Sequence, residues 1–189
     1  MIKIYGRILK KYFTYDELKR KEISDAFIKN IICNELGMKK KDIVIKKNKY
    51  GKPFLQYYPE FQFNISHSEE LIVCAINNSQ VGIDVEKVKD VDGIKLTKRF
   101  FSNEEYEEIR QEKIGFFELW TLKESYIKAI GKGLFLPLDS FTIKKQDDKI
   151  LLKSVFSHVV DFRQYNIYPD YKLAVCSIKE KYNNKVNKL

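Results

Sequence analysis

Leu71-Ile-Val-Cys-Ala-Ile76, Asn77-Asn-Ser-Gln80 and Val81-Gly-Ile-Asp-Val-Glu86 form the stretch from which the fold is read. Two apolar runs flank a four-residue polar break, the pattern of two strands joined as a hairpin. In the second run Val81, Ile83 and Val85 alternate with Asp84 and Glu86. Successive strand side chains point to opposite faces, so the two acids share one face, roughly 7 Å apart.

On both sides of this stretch, helical patterns alternate with short strand patterns. Upstream, Ile2 to Leu9 reads as a strand, and Thr14 with Glu17 three residues later is a capping box. The helix it opens carries Ile23, Phe27, Ile31 and Ile32 at helical spacing and stops at Gly37. Asp42 to Lys47 reads as a short strand and Tyr50-Gly51-Lys52-Pro53 as a turn. Downstream, the pattern turns helical from residue 95. Ser102 and Glu105 form a second capping box, and a longer helix runs from about Phe116 to Ile130, ending at Gly131-Lys132-Gly133. Phe141 to Lys145, Ile150 to Phe156, Phe162 to Tyr168 and Leu173 to Ile178 read as strands. Each side offers helix and antiparallel strand in similar amounts, which predicts an α+β fold with a seam near residues 87–95. The expected division is an N-terminal half, 1–90, holding the Asp84/Glu86 strand, and a C-terminal half, 91–189. No internal repeat is obvious.

A chain of 189 residues with 44% hydrophobic side chains is not disordered and can bury a core without disulfides. Its longest uncharged stretches fall well short of the roughly 18 apolar residues that span a bilayer. The start reads as a strand, not as a signal peptide. Cys33, Cys74 and Cys176 are scattered and odd in number, which suits a reducing cytoplasm and not a zinc site. Residues 1–52 carry 15 Lys/Arg against 6 acids, and so account for the whole net charge of +9. That asymmetry points to an anionic partner, whether nucleic acid, phosphorylated metabolite or acidic protein, or to a solubilising face.

Three groups of residues carry chemistry. Asp84 and Glu86 form half of a hard-cation site, since Mg²⁺ takes oxygen ligands and few carboxylates. The alternative is the polar face of a half-buried strand. Trp120, Glu124 and Lys128 recur every four residues and share a helix face, with Lys123 beside them. Singly, the Glu124–Lys128 spacing also describes an ordinary surface ion pair. In Phe63-Asn64-Ile65-Ser66-His67-Ser68, His67 and Ser66 are suited to donate to phosphate oxygens, whereas His158 reads as structural.

Asn64-Ile-Ser-His67-Ser68, Gly82-Ile-Asp84-Val-Glu86 and Trp120-x-x-Lys123-Glu124-x-x-x-Lys128-x-x-Gly131-x-Gly133 resemble, in order and spacing, the signatures of 4′-phosphopantetheinyl transferases. The similarity is to the surfactin-synthetase-activating type, which serves nonribosomal peptide and polyketide synthases. Arg99-Phe-Phe101-Ser and Leu136-Pro-Leu-Asp-Ser-Phe141 are similar to segments bracketing the helix in that family, and Tyr50 to Pro53 to its adenosine-side turn. The match runs from about residue 15 to 178.

The resemblance implies a Mg²⁺-dependent enzyme that moves the phosphopantetheine arm of coenzyme A onto a serine hydroxyl of an apo acyl or peptidyl carrier protein, releasing 3′,5′-ADP. It implies two similar halves, each an antiparallel sheet with helices, packed as an intramolecular pseudo-dimer in a monomer, with coenzyme A between them. Asp84, Glu86 and Glu124 would hold Mg²⁺. Glu124, directly or through a bound water, would take the serine proton, and Lys128 would stabilise phosphate charge and protonate the leaving group. Arg20, Lys52, Ser66, His67, Lys123 and Lys128 would bind coenzyme A.

Relatives carry a longer segment before the first long helix, so at least one of Lys10, Lys11, Lys19 and Lys21 is expected to substitute at the 3′-phosphate. Basic groups of the first half, or Phe116 and Phe117, would meet the carrier. The resemblance involves neither nucleic acid nor membrane. Rival readings are a nucleic-acid-binding module on the basic first 52 residues with Tyr12, Phe13 and Tyr15, an inactive carrier-binding relative, and an enzyme dedicated to the fatty-acid carrier.

Overall fold

The computed structural model describes residues 1–9, 17–147, 149–156 and 158–179. The Thr14 cap, Lys10, Lys11, Tyr12, Phe13 and Tyr15 lie outside the described residues. The first half runs β1 (Lys3–Ile8), α1 (Glu17–Leu36), a hairpin of β2 (Ile45–Lys47) and β3 (Pro53–Leu55), then β4 (Gln62–Ser68) and β5 (Leu71–Asn77). The second runs β6 (Val81–Lys87), two short helices α2 (Gly93–Phe100) and α3 (Asn103–Arg110), then α4 (Phe116–Ile130). It closes with a hairpin of β7 (Phe141–Gln146) and β8 (Lys149–Ser154), and with β9 (Val159–Tyr165) and β10 (Tyr171–Lys179).

The three-stranded sheets are ordered β1-β5-β4 and β6-β10-β9, both antiparallel. In each, the last strand of the half lies between the first and the next-to-last. Strand, helix, hairpin and two strands therefore occur twice with one topology, and the chain is an α+β pseudo-dimer. This repeat is architectural and is not obvious in residue identities.

The two apolar runs of the central stretch do not form the predicted hairpin. β5 pairs with β1 and β4, β6 pairs with β10, and the polar break carries the chain from one sheet to the other. Leu71, Val73 and Ala75 face Val81, Ile83, Val85, Leu173 and Val175 across a buried layer between the sheets. The outer face of the first sheet, with Ile72, Cys74 and Ile76, packs under Phe27, Ile28, Ile31 and Ile32 of α1. Ala174, Cys176 and Ile178 pack likewise under Leu119, Leu122 and Tyr126 of α4. The order is helix, sheet, sheet, helix. Each fully buried aliphatic side chain in the middle layer stabilises the joint by about 1.5–3 kcal/mol.

Because β6 belongs to the second sheet, the division falls between β5 and β6 and not at residues 90/91. A polar break between two apolar strands has the same composition whether the strands pair or stack, and only long-range pairing tells the two apart.

Asp42 lies in a 3-10 turn ahead of β2, and β9 starts and ends three residues earlier than the expected Phe162 to Tyr168, while the helix-end signals of the second half hold. Ser102 and Glu105 form the reciprocal capping box at the start of α3, and α4 ends at Gly131 in the left-handed conformation, φ +73°. Gly82 has a different reason to be glycine. A Cβ there would collide with the backbone of Ser125 and Ala129, so its absence lets α4 lie directly on β6. Among the described residues no helix is long and apolar enough to cross a membrane.

Candidate active site

The close approach of α4 to β6 builds a cavity of about 310 Å³ lined by residues of three elements. β6 contributes Asp84 and Glu86, α4 contributes Trp120, Glu124 and Lys128, and β4 contributes Ser66 and His67. The period-four spacing on the helix and period-two spacing on the strand thus face one space. Ile65 and His67 also line a second cavity of about 490 Å³ with Arg20, Lys21 and Ser24 of α1. The two cavities share Ile65 and His67, so a cleft runs from the joint of the two halves to α1 of the first half.

Asp84 lies at the centre, only 2% exposed. Its Oδ1 accepts from the Lys128 ammonium at 2.5 Å and from the Ser66 hydroxyl at 2.9 Å, and Lys128 also donates to Ser66 Oγ at 3.0 Å. Asp84 Oδ2 is buried with no hydrogen-bond partner. Burial, then the charge of Asp84, raises the Glu86 and Glu124 carboxyls above the usual carboxylate range. Ser68 opposes the rise at Glu86, and Lys128 opposes it at both. Burial, then Arg20 and Lys128, lower the His67 imidazole below its ordinary value.

An unsatisfied buried carboxylate oxygen beside two further carboxylates is an electrostatic deficit that a hard cation fills. The all-oxygen donor set fits Mg²⁺ in kind. In their present positions no three such side chains among the described residues converge to hold an ion, and the nearest cation to Asp84 is Lys128.

Two residues expected at the nucleotide line neither cavity. Lys123 points away from the cavity into the core, with its side chain and that of Glu105 both 0% exposed. Its ammonium donates to both Glu105 oxygens at 2.6 and 2.7 Å and to the Phe141 carbonyl at 2.8 Å. A residue adjacent in sequence to Glu124 is turned about 100° around the helix, and that rotation carries Lys123 off the cavity face. Lys52 bridges the halves instead of lining either cavity. It donates to the carbonyls of Ala129 at 2.8 Å and Val81 at 3.1 Å, while Asn48 caps Gly131 O at 2.9 Å. The first half's turn thereby caps the exposed carbonyl end of α4. Burial lowers Lys52 to about 8.

Arg20 lines the second cavity and donates to Glu69 O at 2.7 Å. Of the candidate 3′-phosphate lysines, Lys21 lines that cavity and Lys19 pairs with Glu22 on the surface. Phe116 packs against Phe101 and Trp120. His158 lies beside the Tyr126 hydroxyl, at 3.4 Å, in keeping with a structural role.

Asn64, Ser68 and the core role of Glu105 have no individual assignment from sequence. Glu105 looked like a cap alone, yet its carboxylate also takes Lys123 and the Ile143 amide. The alternation of Asn64, Ser66 and Ser68 was the available signal for the other two.

The fold and cleft define a class of protein in which two α+β halves share one acid- and lysine-lined cavity. Residues 80–176 match the family model of the 4′-phosphopantetheinyl transferase superfamily, and residues 6–79 match that of the 4′-phosphopantetheinyl transferase N-terminal region. The chain is 37% identical over 174 residues to the 4′-phosphopantetheinyl transferase gsp of Aneurinibacillus migulanus, covering 89% of this chain and 72% of that one. It is 35% identical over 175 residues to the 4′-phosphopantetheinyl transferase Sfp of Bacillus subtilis, covering 89% and 78%. A solved holo-(acyl-carrier-protein) synthase from Bacillus anthracis, in complex with CoA (3′,5′-ADP), matches with TM-score 0.45 and 18% identity over 53% of this chain and 95% of that one.

The chain belongs to the 4′-phosphopantetheinyl transferase superfamily, as an Sfp-type member. The two family models meet at residues 79 and 80, where the two sheets part.

Proposed function

We propose that this chain transfers the 4′-phosphopantetheine group of coenzyme A to a serine hydroxyl of an apo acyl or peptidyl carrier protein and releases 3′,5′-ADP. The observation that carries the reading is one cavity in which Asp84, with its unpartnered oxygen, Glu86 and Glu124 stand beside Lys128, Ser66 and His67. Phosphoryl transfer is mostly positioning and charge neutralisation, and this set supplies both.

The serine oxygen bonds to the phosphorus that bears the pantetheine arm, and the bond from that phosphorus to the adenosine 5′-phosphate breaks. Glu124 accepts the serine proton. Lys128 leaves Asp84 for the pyrophosphate, balances its charge and protonates the departing 3′,5′-ADP. Asp84, Glu86 and Glu124 would hold Mg²⁺, which would neutralise pyrophosphate charge and polarise the phosphorus. His67 and Arg20 take the nucleotide phosphates, Ser66 gives its proton to Asp84, and Lys21 adds charge along the second cavity.

The carrier belongs to a nonribosomal peptide or polyketide synthase. The enzyme acts as a monomer, because one chain supplies both walls of the cleft, and in the cytoplasm, where its three free thiols persist.

The test is to incubate the protein with coenzyme A, Mg²⁺ and an apo peptidyl carrier domain and to weigh the carrier intact. A metal-dependent gain of one phosphopantetheine, lost in Glu124→Gln, is expected. Binding of coenzyme A without any gain across several carriers supports an inactive relative instead.

A further inference from the structure

β6 is an edge strand of the second sheet, and the N–H groups on its free edge need partners. They find them in side chains of β4. Ile83 N–H donates to Asn64 Oδ1 at 2.9 Å, Val85 N–H to Ser66 Oγ at 3.4 Å and Lys87 N–H to Ser68 Oγ at 3.0 Å. Every rung spans nineteen residues, so β4 and β6 run parallel, one side-chain length apart.

The two serines do a second thing. Each hydroxyl accepts an amide and gives its single proton to the carboxylate one residue earlier on β6, Ser66 to Asp84 Oδ1 and Ser68 to Glu86 Oε2, both at 2.9 Å. The asparagine rung faces Gly82, where there is no carboxylate to hold, and it only needs to accept. Serine at 66 and 68 is therefore matched to acids at 84 and 86.

We infer that Ser68 is a positioning residue: it joins the two halves at Lys87 and holds the Glu86 carboxylate in the orientation the cavity requires. A free glutamate side chain samples several rotamers at each of its torsions, whereas a hydroxyl anchored by a backbone amide fixes the end of this one. Ser68 is buried and lines neither cavity, so it acts on the site through Glu86. Only a short side chain with both a donor and an acceptor fills this place. Alanine has neither, and threonine keeps both. This inference rests on Glu86 being a cation ligand.

The experiment titrates Mg²⁺ into the coenzyme A-bound wild type, Ser68→Ala and Ser68→Thr, and follows amide hydrogen exchange at Ile83 and Lys87 in the free proteins. Ser68→Ala is expected to weaken Mg²⁺ binding by ~10–100-fold, the cost typical of losing a residue that orients a ligand. Its turnover falls while KM for coenzyme A holds. Exchange accelerates at Lys87 and not at Ile83, whose rung is intact, and Ser68→Thr restores all of these. Unchanged Mg²⁺ affinity in Ser68→Ala, or a threonine variant no better than alanine, overturns the proposal. Failure of the wild type to modify a carrier counts against the transferase reading instead, because the exchange and binding readouts need no carrier.

Discussion

Replacing Lys123 with methionine distinguishes a nucleotide-binding lysine from a core ion pair. In the wild type the ammonium has three hydrogen bonds, two to Glu105 and one to Phe141 O, and no solvent contact. Methionine keeps most of the stem volume but leaves Glu105 as a buried carboxylate with only the Ser102 and Ile143 donors. Breaking one side of a buried pair costs about 3–5 kcal/mol. For a chain near this length, each kcal/mol lowers Tm by about 2–4 °C, so a fall of about 6–20 °C is expected. Adding Glu105→Gln removes the stranded charge while keeping an acceptor for the Ile143 amide, and should recover most of the loss. Thermal and denaturant unfolding of the two singles and the double form the cycle, with KM for coenzyme A measured alongside. A Lys123→Met protein that melts like the wild type but has a raised KM would refute the core assignment and return Lys123 to the nucleotide.

Three other outcomes follow from the same geometry. Glu124→Gln should abolish transfer, read as loss of the carrier's mass gain, while in the metal-free protein burial and then Asp84 raise the Glu124 carboxyl. A carboxyl raised on folding penalises the native state above its folded pKa and not below its unfolded one. The glutamine variant should therefore melt higher at neutral pH, a gain that fades as pH falls through the raised value. Lys128→Met should bind Mg²⁺ more tightly than wild type without coenzyme A, since a competing ammonium 2.5 Å from Asp84 is gone, while transfer drops sharply; calorimetry and carrier mass check the two arms. Lys52→Met should lose its two bonds to Ala129 and Val81, each worth about 1.5–3 kcal/mol for a charged donor, and lower Tm. A raised KM for coenzyme A at unchanged Tm would instead put Lys52 at the substrate.

Much of the cleft could be read locally. A strand's alternation puts Asp84 and Glu86 on one face, and a helix's spacing aligns Trp120, Glu124 and Lys128, whatever the rest of the chain does. The Ser102–Glu105 box and the Gly131 stop are also short-range, each completed within a few residues. Lys123 was misread because its neighbour in sequence is Glu124, and adjacency in a helix separates side chains instead of joining them. The contacts of Lys52 with the carbonyls of Val81 and Ala129 leave no trace in side-chain identity.

The sequence by itself determined the chemistry available: three carboxylates, a lysine and a Ser-His pair on elements whose periodicity it also specifies. The tertiary structure alone decided that β5 and β6 stack and do not pair, that one topology is used twice, and that Asn64, Ser66 and Ser68 bind the free edge of β6. The physical reason is that hydrophobic alternation states which face is buried but not against what. Partner choice depends on backbone hydrogen bonds and layer packing summed over residues as far apart as Val81 and Ser177, and no local window contains them.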